Sequence, residues 1–345
     1  MGNSPSSDAR IKLSIGFKQP GTPDGLLIFP TNVAFDTERD LLYVSDCGNH
    51  RVQVFSSKDG SFVSKIGGRG DIQRVLHAPR ALAIDHEHGR ILVTDQDRLQ
   101  VILLEDHSFL TNVKRKSAPE LQRWDPRGIA IDKHHRRIVI ADSESHRLVF
   151  LSLVDLSFLF SIGKQGSQPG EFYYPNGIAI DHDRHRIIVC DTDNNRVQVL
   201  SSIDGSFLFE IGSKGNQPGE FAEPEGVCIA NQGRIIVADH HNRRLQAFTH
   251  EGRHISSFDY GGCQGVAFDE HRGLIAFTTS CQVHVIGANQ WLADTFVWRP
   301  DLRRYAPKSI KRAILTMTMI RSLADESSVM SMIPNELLFE IFSFL

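Results

Sequence analysis

The chain has little of what several functional classes require. Its 345 residues include only five cysteines, Cys47, Cys190, Cys228, Cys263 and Cys281, an odd number with no C-x-x-C pair. That speaks against a disulfide framework or a clustered zinc site and points to a reducing, intracellular compartment. No apolar run approaches the roughly 18 residues of a membrane span. Charge of neither sign prevails, with 38 Lys and Arg against 41 Asp and Glu, so no global field draws the molecule onto nucleic acid and any such site must be local. No Ser/His/Asp or Cys/His set stands out, nor does a glycine loop opening onto a helix to cradle a phosphate. No cofactor is expected. The first ten residues are polar and carry no secretory signal; M-G-N-S-P-S fits an N-myristoylation pattern at Gly2, and only that lipid would bring the chain to a membrane.

What the chain has in quantity is punctuation, 27 glycines and 14 prolines in a sequence that is not of low complexity. Five prolines, Pro30, Pro79, Pro126, Pro175 and Pro224, open similar segments 49, 47, 49 and 49 residues apart, and a proline-free sixth copy begins near Gln264. Each copy holds four short runs rich in Val, Ile, Leu and Phe, parted by Asp, Asn, Gly and His. This is the pattern of a four-stranded antiparallel meander. The runs are nearly continuous rather than alternating, so both faces of each sheet should be buried, as when small sheets stack radially on one another.

The element D-x-x-N-x-R-V-Q-V-F at Asp46 to Phe55, repeated at Asp191 and, with substitutions, at Asp239, resembles the NHL repeat, as does the connector from Gly205 to Phe221. The resemblance spans roughly residues 11 to 286 and implies an all-β, six-bladed propeller of the kind that ends TRIM-NHL proteins. Copy six lacks a fourth strand, and Ile11 to Ile15 matches one, so the N-terminal strand should close the ring and leave no open sheet edge. Residues 1–10 are read as a disordered start and 287–345 as a helical tail.

The most regular polar feature is an Asp ending the second strand with an Arg opening the third: Asp46 with Arg51, Asp95 with Arg98, Asp142 with Arg147, Asp191 with Arg196 and Asp239 with Arg244. A pair that recurs in five blades is read as structural, bridging the stems of a hairpin. Thr279 and Gln282 stand there in copy six.

A basic residue follows nearly every fourth strand, namely Lys18, Arg69, Lys114, Lys164 and Lys214, on the top face of the propeller. The stretch from Arg69 to Arg137 carries 13 basic and 10 acidic residues, which makes blades two and three a basic sector. Its candidates for contact with an acidic protein or single-stranded RNA are Arg69, Arg74, Arg80, Lys114, Arg115, Lys116, Arg123 and Arg127, with Trp124 beside them and Lys164 and Lys214 farther round. His50, His146, His240 and His241 sit in top-face loops near the channel. A lyase of the same propeller type uses channel histidines on zinc, so a zinc-dependent lyase or hydrolase is a minor alternative; a non-enzymatic recognition scaffold is preferred, with no metal site expected.

Near the C-terminus, IPNELLFEIFSFL (333–345) resembles the opening of an F-box, with Pro334, Leu337, Leu338, Ile341, Phe342 and Leu345 forming an apolar stripe. The resemblance implies docking on a Skp-type adaptor and a role in ubiquitin-linked turnover, with any ligase activity supplied by a partner.

Overall fold

The structure, a computed structural model, describes residues 11–16, 20–68, 76–114, 117–288 and 291. Gly2, Lys18, Arg69, Arg74, Arg115 and Lys116 lie outside the described residues, as do the helical tail and its stripe from Pro334 to Leu345. The chain divides into two compact units, Met1–Thr295 and Phe296–Leu345, and every described residue belongs to the first.

The described residues form six four-stranded antiparallel sheets, five of them in simple chain order. The first strands of the blades, Pro30–Asp36, Pro79–Asp85, Pro126–Asp132, Pro175–Asp181, Pro224–Ala230 and Val266–Asp269, touch one another in cyclic order, the sixth returning to the first. This is a six-bladed β-propeller with its first strands around the axis. In the sixth sheet the outer strand is Ile11–Ile15, paired antiparallel with Val283–Gly287 from Ile15↔Val283 to Ile11↔Ile286. The two ends of the ring are thus stitched in one blade, as the strand count of the sequence implies.

Six apolar clusters hold the ring, one between each pair of neighbouring blades. Tyr43, Val52 and Val54 of blade 1 pack on Leu82, Ile91 and Val93 of blade 2, and Val33 and Val44 of blade 1 meet Val283 and Val285 of blade 6. The second and third strands are buried on both faces, as in Arg90–Asp95, where every residue is buried. The fourth strands differ from the expectation of two buried faces: Phe62, Phe109, Leu110, Leu159 and Leu208 are exposed. Blades splay apart with distance from the axis, so the outermost strand has no neighbour sheet on which to pack.

Near the axis the crowding is of the opposite kind. A Cβ on Gly128 would collide with the Asn176 carbonyl, one on Gly177 with the Glu225 carbonyl, and one on Gly226 with the Gln264 carbonyl. Glycine at this place lets first strands converge on the axis. Gly177→Val should therefore cost about 1–3 kcal/mol by overpacking, read as a lower denaturant midpoint at unchanged m-value. Removal of residues 1–16 should leave the Val283–Gly287 edge unpaired and lower the melting temperature or cause association; a truncated chain that melts unchanged as a monomer would contradict closure through Ile11–Ile15.

Candidate recognition surface at the mouth of the central channel

The loops of the top face are long, and the repeating Asp and Arg fix them. In blade 4 the buried Asp191 carboxylate accepts four hydrogen bonds: the Tyr173 N–H at 2.7 Å, Asn194 Nδ2 at 2.9 Å, Arg196 Nε at 2.8 Å and Gln198 Nε2 at 2.9 Å. Arg196 then donates through Nη2 to the carbonyls of Gln168 and Glu171, at 3.0 and 3.1 Å. The connector entering blade 4 is thereby folded against its hairpin. Asp239 with Arg244 repeats the arrangement, as does Asp46 with Arg51, each with a Nε–Oδ2 distance of 2.8 Å. Asp142–Arg147 and Asp95–Arg98 close at 2.9 and 3.0 Å.

A second device joins three of the connectors, those entering blades 2, 4 and 5, to the preceding blade. His50, His146 and Asn195 end their turns at φ of 56°, 55° and 53°. His50 Nδ1 accepts the Ala78 N–H at 3.1 Å, His146 Nδ1 accepts the Tyr174 N–H at 3.1 Å, and Asn195 Oδ1 accepts the Glu223 N–H at 3.0 Å. In His50 and His146 one ring nitrogen is committed to this latch, which is structural rather than metal-binding in character. Among the described residues no group of three or more His, Cys, Asp or Glu is placed to hold a metal ion.

Held in this way, the connectors deliver two concentric sets of side chains to the channel mouth. The residue before each first strand forms a rim, with Phe29 62% exposed, Tyr174 37% exposed, and Asp125 and Glu223 among the others. The second residue of the strand, or its counterpart in blade 6, lines the mouth itself: Thr31, Arg80, Arg127, Asn176, Glu225 and Gln264 in blade order. Together with the backbone beneath them they bound a cavity of about 180 Å³. Arg127 Nε lies 3.2 Å from Asp125 Oδ2, and Arg80 Nη2 lies 3.5 Å from Asp125 Oδ1. Burial pushes the Glu225 carboxyl above the ordinary range, against the pull of His240 and Arg127 and with the repulsion of Glu223. Asp193 is raised for the same reason, by burial and then by Glu223.

Of the basic residues picked out by sequence, the structure brings Arg80 and Arg127 together at the mouth. Lys114, Arg123, Lys164 and Lys214 are exposed on the connectors, and Lys164 lies 3.2 Å from Glu171. Trp124 corrects an expectation. It is fully buried and packs with Leu121, Ala81 and Ile129 rather than standing beside the arginines, because the 3₁₀ turn Pro119–Leu121 folds its segment inward. The aromatic surface on this face comes instead from Phe29, Tyr173 and Tyr174.

Two features escape sequence reasoning. The channel ring does, because its members share a place in the repeat and no chemistry. The other is a bottom-face set of ion pairs, Arg90 Nε on Asp85 at 2.8 Å and Arg137 Nε on Asp132 at 3.0 Å. Arg90 and Arg137 also donate to the Leu153 and Ser202 carbonyls of the next blade. The recurring D-x-x-x-x-R of Asp85 to Arg90 and Asp132 to Arg137 was the available signal. His88 and His135 bond Asp85 and Asp132 there, both at 2.9 Å.

The family profile described as NHL repeat matches residues 27–55, 172–200 and 221–248, in blades 1, 4 and 5. The protein brain tumor of Drosophila melanogaster is 32% identical over 80 residues, 23% of this chain and 8% of that protein, so the match spans a small part of that relative's length. Among solved structures, a luciferin-regenerating enzyme superposes with a TM-score of 0.60 at 12% identity, covering 80% of this chain and 95% of that one. A gluconolactonase from Xanthomonas campestris gives 0.58 at 14% identity, covering 75% and 86%. Regucalcin from Agrobacterium tumefaciens gives 0.58 at 12%, covering 80% and 95%. At these identities the likeness is one of fold.

Two outcomes test the scaffold of this surface. Asp191→Ala removes one partner of a buried ion pair and should cost about 3–5 kcal/mol in chemical unfolding. Asp95 behaves differently with pH. Burial raises its carboxyl above the ordinary 3.8, with Arg98 opposing. A folded pKa above the unfolded one means that the folded state holds the extra proton, so stability falls as pH rises from 3.8 through the raised value. Asp95→Asn should flatten that slope, and an unchanged pH profile would contradict the assignment.

Proposed function

We propose that this chain, a six-bladed β-propeller carrying NHL repeats, is a non-enzymatic recognition scaffold that holds a protein partner on its top face. The observation that carries the reading is internal to the chain. Positions that build the blades repeat, as in the Asp–Arg pairs, whereas positions that face outward at the mouth differ from blade to blade: Thr31, Arg80, Arg127, Asn176, Glu225 and Gln264. A repeat that keeps its scaffold and varies its surface presents a patterned, asymmetric face, which is what recognition of one partner requires. The composition fits a protein interface as well. Exposed Phe29, Tyr173 and Tyr174 lie among charges of both signs, and aromatic residues and Arg dominate interface energetics.

A single-stranded RNA is the second reading, favoured by the exposed Lys114, Arg123 and Lys214 and by the exposed rings of Tyr173 and Tyr174, on which bases could stack. Placement in ubiquitin-linked turnover rests on residues 333–345 alone; a Skp-type adaptor should be captured by the full chain and lost on deletion of residues 330–345.

The deciding experiment is affinity purification of the full chain with and without nuclease, beside a Phe29→Ser, Arg123→Ala, Tyr174→Ala variant that melts as the parent does. The proposal expects nuclease-resistant partners that the variant loses. Partners that nuclease removes, with a salt dependence weakened by Lys114→Ala, would favour RNA. A partner set untouched by the triple variant would contradict the top-face assignment.

A further inference from the structure

The channel mouth is divided by charge as well as being polar. Arg80 and Arg127 come from blades 2 and 3, and Glu225 comes from blade 5, three blades away from Arg80 and so across the ring. One carboxylate, Asp125, lies against both guanidiniums, with Asp193 adding a longer-range attraction for Arg127, and that side keeps N–H donors to spare. Glu225 has neither a hydrogen bond nor an ion pair among the described residues, while its neighbour Glu223 lies 3.3 Å from His241 Nδ1. Two further atoms of the lining, Arg80 Nε and Gln264 Oε1, are buried without a hydrogen-bond partner among the described residues. Buried polar atoms are normally satisfied, so a cavity edged by two that are not, with a half-buried carboxylate facing them, is arranged for a ligand that supplies the missing partners.

We propose that the mouth binds a small dipolar ligand, an amino acid-like molecule whose carboxylate sits on Arg80 and Arg127 and whose ammonium sits on Glu225. The chemistry matches on each side. A guanidinium recognises a carboxylate through paired N–H donors, and an ammonium brings three donors and no acceptor to an otherwise unpartnered carboxyl. The arrangement matches too, since guanidiniums on one wall and a carboxylate on the other suit a zwitterion better than an anion or a cation alone. The cavity is small, about 180 Å³, and suits a compact molecule with a few carbons between its charged ends. Asn176, Thr31 and Gln264 complete the ring with neutral polar groups, which suits a ligand whose middle carries few charges. This small-molecule site is independent of the macromolecular reading of the outer rim, and either can fail alone.

The test uses the full chain and titrates it calorimetrically with glycine, 4-aminobutanoate and 6-aminohexanoate, with hexanoate and hexylamine as single-charge controls. The proposal expects one member of the dipolar series to bind at least about tenfold more tightly than either control, a difference of about 1.4 kcal/mol. Glu225→Gln should reduce that ligand to the level of hexanoate, and Arg127→Met should reduce it to the level of hexylamine, with both variants melting as the parent does. Should Arg127→Met fail to fold, Glu225→Gln, which preserves shape, decides alone. Equal binding of dipolar and single-charge probes, a dipolar preference that survives Glu225→Gln, or no binding by any member of the series would overturn the proposal.

Discussion

The loops of the top face depend on a buried carboxylate that accepts hydrogen bonds from both a hairpin and the connector lying over it. In blade 4, Asp191 is wholly buried, and its two oxygens take donors from Tyr173, Asn194, Arg196 and Gln198. A carboxylate out of water is costly unless it is paired and bonded, so the network is an all-or-none arrangement. It is also directional: Arg196 turns Nη2 on connector carbonyls that strand pairing does not reach. Long loops ordinarily sample many conformations; the connectors entering blades 2, 4 and 5 are tied at two points, to their own blade by the Asp–Arg pair and to the previous blade by His50, His146 or Asn195.

From that constraint follows a division of labour within each repeat. Apolar residues of the second and third strands join neighbouring blades, and Asp, Arg, Asn and Gln fasten the connectors. Two positions per blade, just before and just inside the first strand, are left to vary. Tying the loops first makes those positions useful, because a rigid mount lowers the ordering cost of binding. The glycines beneath them bring the first strands close enough for side chains from opposite blades to share one small cavity.

The fold was legible in the sequence for the reason that it repeats. Prolines at a spacing of about 49 residues marked the start of five of the six first strands, and Ile11 to Ile15 was recognisable as a strand without a blade because its pattern matched the fourth strands elsewhere. The basic sector was legible only in part: Arg80 and Arg127 reach the mouth, but charge counting does not reveal that Asp125 sits between them. Trp124 misled because an aromatic among arginines reads as surface, whereas the turn at Pro119–Leu121 carries it into the core. Glu225 was invisible, since one acidic residue after a proline has no signal of its own and acquires meaning only when five other blades place their residues around it.

The central claim is that the Asp–Arg pairs hold the connectors that shape the mouth, and hydrogen exchange tests it most directly. In the Asp191→Ala chain the account predicts faster exchange at Tyr173 and through the connector at residues 163–174, with the strand amides of Arg186–Asp191 and Arg196–Ser201 retaining far more of their protection. Exchange that stays as in the parent across residues 163–174, or that rises equally through the whole blade, would contradict it.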